Sequence, residues 1–221
     1  MARHSLEHQA YDYLQLWEPI TTVLAPEELM NPHDPLFPLF SCLYGKAQHL
    51  YTHVSRRKNG QNPFLHPVNL VVALLRAKVE DGITLCTGLI HDIIEEKVDL
   101  YLQKHSFRED KMRLAEHYEV DAFHALEKEL IHCCQEHSLP FSHVTKIITL
   151  LKLLTRHKRH FYYKSMSGIF DAPDNELKEA AMICGTKSGM HFDKFKESGL
   201  GKEEGKNVDC PRIKEALAYI E

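Results

Sequence analysis

Apolar positions recur three and four residues apart along this chain, and strand-like alternation is almost absent, so the pattern predicts an all-α fold. Residues 5–18 read as a first helix, stopped by Pro19. A short second helix is expected at Pro26, with proline in its first turn and Glu27 and Glu28 behind it. Asn31-Pro32-His33-Asp34-Pro35 is a turn-rich loop. A helix follows over roughly 39–54, then a basic, polar loop over 55–63. His66-Pro67 opens another helix, with Val68, Val71, Val72 and Leu75 on one face, and Asp81-Gly82 ends it.

Residues 83–96 read as one further helix, nearly all apolar up to His91, which marks a buried central element. Two helices are expected over 109–118 and 121–137, with an interruption near Ser138-Leu139-Pro140. Val144, Ile147, Ile148, Leu151 and Leu154 then share one face of an amphipathic helix ending near Arg156. Further helices are expected at 160–169 and 174–184. Beyond Cys184 glycines alternate with lysines, so 185–210 reads as loop, with a short terminal helix after Pro211.

Length and charge narrow the class. A chain of 221 residues is enough for one sizeable core. Its 27 Lys+Arg against 31 Asp+Glu leave a formal charge of −4, without the basic excess of a DNA binder. The six cysteines form no disulfide framework and no Cys-x-x-Cys pair. No apolar run reaches a membrane span and the N-terminus carries no apolar leader, so the expectation is a cytoplasmic protein with no membrane partner. Sixteen histidines raise the prospect of a metal site without saying which of them serve it.

Two His-Asp pairs occur. His33-Asp34 lies in a proline-flanked turn with no scaffold to hold it. His91-Asp92 instead closes an apolar helix, in Leu89-Ile90-His91-Asp92-Ile93-Ile94-Glu95-Glu96. Residues four apart share a helix face, so Glu95 stacks beyond His91 and Glu96 beyond Asp92. A buried helix carrying these four groups is costly unless a cation compensates them, and imidazole with carboxylate suits Mn, Fe or Zn. The alternative is that this helix end emerges into solvent. His66 tilts the balance: antiparallel neighbours joined by a short turn bring the start of one helix to the end of the next, beside His91-Asp92.

Arg57-Lys58-Asn59-Gly60-Gln61-Asn62-Pro63-Phe64-Leu65-His66-Pro67, followed by Thr84-Leu85-Cys86-Thr87-Gly88-Leu89-Ile90-His91-Asp92-Ile93-Ile94-Glu95-Glu96, resembles the HD hydrolase domain of RelA/SpoT-type alarmone enzymes. There an R-K-x-G-x-P segment leads into H-P and a later helix ends H-D-x-x-E-D. Leu154-Thr155-Arg156 and Tyr162-Tyr163-Lys164-Ser165-Met166-Ser167-Gly168-Ile169-Phe170 look like the next family segment, so the likeness runs over roughly 40–184. It implies a compact helical HD bundle over 39–184, preceded by a helical extension (1–38) and followed by an atypical tail (185–221). It also implies a Mn2+-dependent enzyme that removes the 3′-pyrophosphate of guanosine tetra- or pentaphosphate. Carried over, His66, His91 and Asp92 would hold the metal, and Glu95 and Glu96 would handle the attacking water. Arg57, Lys58 and Tyr163 would face the guanosine nucleotide.

Two departures stand out. Glu96 replaces the family's Asp, and Ser188 falls where a fourth metal-binding Asp is expected, with His191 and Asp193 as possible substitutes. The alternatives are an impaired domain that binds a nucleotide or protein, or an HD phosphohydrolase acting on other nucleotides. His132-Cys133-Cys134-Gln135-Glu136-His137 holds metal-capable groups without a zinc spacing.

Overall fold

The computed structural model describes residues 19–55, 60–105, 111–155 and 183. Among these there are helices and no strand: α1 (Pro26–Leu29), α2 (Phe37–Tyr51), α3 (Leu65–Arg76), α4 (Gly82–Ile90), α5 (Ile93–Lys104), α6 (Lys111–Glu136) and α7 (Phe141–Leu154). The all-α expectation holds. None of the described helices is long and apolar enough to cross a membrane.

The centre of the packing is α4. It lies against α2, α3 and α7, and all nine of its residues are buried. Asp81 starts it as an N-cap: its carboxylate accepts from the Thr84 amide and hydroxyl, both at 2.7 Å. The buried Thr87 hydroxyl donates back to the Ile83 carbonyl at 2.8 Å, so a polar side chain sits inside the core without an orphan donor. Around α4, α2 contributes Leu39, Phe40 and Leu43, α3 contributes Leu70 and Leu74, and α7 contributes Ile147, Leu150 and Leu151.

Two boundaries and one buried face differ from the sequence reading. The helix expected over 83–96 is two helices, α4 and α5, parted at His91-Asp92, where Asp92 adopts φ −100°, ψ 1°. The pair expected over 109–118 and 121–137 is the single helix α6, since no Gly or Pro interrupts 111–136. On α3 the buried surface extends beyond the predicted stripe, because Leu70 and Leu74 are also sealed in the core. The elements expected at 5–18, 160–169, 174–184 and beyond lie outside the described residues.

The segment before α3 is held by aromatic packing. Phe64, 2% exposed, meets Tyr44 edge-on at 5.0 Å and Tyr51 at 5.8 Å, both from α2. The Asn62 side chain accepts from the Phe64 amide at 3.0 Å and turns the chain into the helix. Asn69 then ties 19–25 to α3, accepting from the Ile20 amide at 2.7 Å and donating to the Ile20 carbonyl at 3.2 Å. Phe64→Ala is expected to cost about 3–5 kcal/mol in chemical denaturation, as for a fully buried aromatic. Phe141→Ala, at a side chain 53% exposed, should change stability by no more than about 0.5 kcal/mol. Equal effects would contradict the anchoring role of Phe64.

Candidate metal centre

The junction of α4 and α5 faces the start of α3. His66 lies in the first turn of α3, His91 is the C-cap residue of α4, and Asp92 is the N-cap residue of α5. The first two are buried, at 6% and 1% exposure, so the helix end does not emerge into solvent. The side chains converge. His66 Nε2 and His91 Nε2 are each 3.0 Å from Asp92 Oδ2, and the two nitrogens are 3.2 Å apart.

Hydrogen bonding sets the chemistry of this triangle. A backbone carbonyl only accepts, so the 2.8 Å contact between His91 Nδ1 and the Gly88 oxygen is an Nδ1–H donating to it. In the neutral ring this leaves Nε2 with its lone pair directed at the other two atoms. With Asp92 ionised, Oδ2 offers only lone pairs. Satisfying both of its contacts requires a hydrogen on each imidazole Nε2, both directed at Oδ2, which places a hydrogen on both ring nitrogens of His91. Every other proton placement leaves two lone pairs face to face. A single cation on which all three lone pairs converge satisfies every edge.

The spacing fits such an ion. Neighbouring ligand atoms of a shell with bonds of about 2.1 Å stand roughly 3.0 Å apart at right angles. The donor set, two imidazoles and a carboxylate, suits Mn, Fe or Zn. Asp92 supports the reading in another way. At an N-cap its carboxylate would ordinarily accept from the helix amides, yet it makes no capping hydrogen bond and faces the imidazoles instead.

Glu95 and Glu96 lie in the first turn of α5, both half-buried. Because α5 continues from Asp92, whose carbonyl accepts from the Glu96 amide at 2.9 Å, the two acids sit within a turn of the triangle. Arg57, Lys58, Tyr163 and Ser188 lie outside the described residues. A cavity of about 570 Å³ opens beside the segment leading to His66, lined by Gln48 and His49 of α2, by Thr52 just after it, and by Asn62 and Phe64. The sequence reading did not anticipate it, because nothing in the local pattern relates the end of α2 to residues 62–64.

The other metal-capable groups behave differently. His33-Asp34 serves the turn before α2, where the Asp34 carboxylate accepts from the Leu36 amide at 2.8 Å. On α6, His132 pairs with Glu136 at 3.3 Å on the exposed face, while Cys133 and Cys134 are buried. Burial, with the neighbouring Cys42 thiol, pushes the Cys133 thiol up to about 12, so it stays protonated and is a poor ligand. His66, His91 and Asp92 form the one group of three metal-capable side chains brought together among the described residues.

No protein-family model matches the chain, and no curated protein or solved structure matches it either. The functional reading therefore rests on the geometry and on the sequence motifs.

Adding Mn2+ at about 100 times its Kd is expected to stabilise the fold by about 2.7 kcal/mol, read as a rise in thermal midpoint. His91→Ala should lose that rise. An equal rise in the His91→Ala variant would contradict the ligand assignment.

Proposed function

We propose that this chain is a metal-dependent phosphohydrolase of the HD type that removes the 3′-pyrophosphate of guanosine tetra- and pentaphosphate. The observation that carries the reading is the triangle of His66, His91 and Asp92, three donor atoms close enough together for a single cation to take all of them as ligands. The substrate comes from the motif resemblance, and the reaction class from the donor set beside an acidic pair.

In this reading His66 Nε2, His91 Nε2 and Asp92 Oδ2 hold the ion, which is Mn2+ by the resemblance. When bound, the ion supplies Lewis acidity toward water and a phosphoryl oxygen. The Glu95 carboxylate takes the proton of the attacking water, and Glu96 orients that water from the same helical turn. A new bond forms from the water oxygen to phosphorus as the bond to the ribose 3′-oxygen breaks. That oxygen receives a proton and pyrophosphate departs. Arg57 and Lys58 offset phosphate charge, and Tyr163 faces the nucleotide. The cavity beside Phe64, on the segment leading to His66, offers room for part of a nucleotide. A cytoplasmic setting accords with the free thiols of Cys42, Cys86, Cys133 and Cys134.

Ser188 favours a second reading, a domain that binds a nucleotide or protein without turning it over. Hydrolysis assays separate the two. The purified chain with Mn2+ should release pyrophosphate from guanosine tetraphosphate. Glu95→Gln should keep the metal while losing turnover by about 10²-fold or more. Retained turnover in that variant would remove Glu95 from the proton transfer, and wild-type protein that binds Mn2+ without releasing pyrophosphate would favour the second reading.

A further inference from the structure

We propose that Gly88 is the positioning residue of the metal centre, setting the separation of α3 and α4 on which the triangle depends. The proposal rests on the metal-site reading and extends it to a residue that touches no metal. A Cβ on Gly88 would stand 2.8 Å from Leu74 Cδ1 and 4.0 Å from Leu70 Cδ2. The first distance is well inside the roughly 3.5–4.0 Å at which carbon atoms rest. Leu74 is 0% exposed, so a shift of its methyl group has to be taken up within the packing between α3 and α4.

The placement of this contact gives it consequence. His66, Leu70 and Leu74 follow one another at four-residue spacing and share a face of α3. His91 lies three residues beyond Gly88, about one turn along the same path. The Gly88–Leu74 contact therefore sets how closely the two imidazole-bearing strips of helix approach. A methyl group inserted there moves α4 outward and opens the 3.2 Å separation of His66 Nε2 and His91 Nε2. Ligand–metal distances in such shells hold to within about 0.2 Å of their ideal values. The Gly88 carbonyl adds a second control, since it accepts from His91 Nδ1–H and fixes the ring that carries Nε2. Helix propensity argues the other way, because alanine is the better helix former in the middle of α4. Glycine here serves the close approach against the local preference of the helix.

The test uses the full chain and Mn2+ alone, with binding followed by loss of the free-ion electron paramagnetic resonance signal. Gly88→Ala should weaken Mn2+ binding by about tenfold or more, while far-UV circular dichroism keeps its helical signal. Leu74→Val, which shortens the opposing side chain, should bind like wild type and, combined with Gly88→Ala, return affinity to within about threefold of wild type. Wild-type affinity in Gly88→Ala would overturn the role of Gly88 and leave the metal site standing. Weak binding in both the single and the double variant would overturn the steric account. Should Gly88→Ala fail to fold alone, the double variant carries the test: near-wild-type binding supports the proposal and weak binding overturns it. A wild-type chain that takes up no Mn2+ would remove the metal site itself, and the role of Gly88 with it.

Discussion

A helix buried along its whole length must resolve its last carbonyls without water, and α4 does so with a side chain. His91 closes α4 by donating Nδ1–H to the Gly88 carbonyl, which sends the opposite nitrogen toward α3 and α5. The bond that ends the central helix thus also aims a ligand. The burial of α4 against α2, α3 and α7 encloses this end, where His91 meets His66 and Asp92.

The two N-cap aspartates show how the site departs from local rules. Asp81 caps α4 as its position predicts, bonding the amide and hydroxyl of Thr84. Asp92 occupies the equivalent place on α5 and forgoes its cap. An N-cap hydrogen bond is worth about 1 kcal/mol, so the diverted carboxylate is an expense that structure alone does not require. Polar groups set against local preference concentrate at functional sites, and here they meet at one point.

Much of this arrangement is legible in the sequence. The order His66-Pro67, a helix, a short turn and a helix ending at His91-Asp92 brings the three residues together through antiparallel packing alone. The break between α4 and α5 was not legible, because no Gly or Pro marks 91–92 and the apolar period runs through it. It arises from tertiary demand, as His91 turns to Gly88 and Asp92 to the imidazoles. The two helices expected over 109–118 and 121–137 are the single helix α6, because 111–136 carries no helix breaker. The anchoring of Phe64 by Tyr44 and Tyr51 also escaped, since contacts between distant segments leave no periodic trace.

The most direct test of the central claim is anomalous diffraction at the manganese edge from crystals grown with Mn2+. The account predicts a single strong peak in contact with His66 Nε2, His91 Nε2 and an Asp92 carboxylate oxygen, with His91 Nδ1 still bonded to the Gly88 carbonyl. A well-ordered triangle with no peak beside it would show that protons, not a metal, hold these side chains together, and would contradict the account.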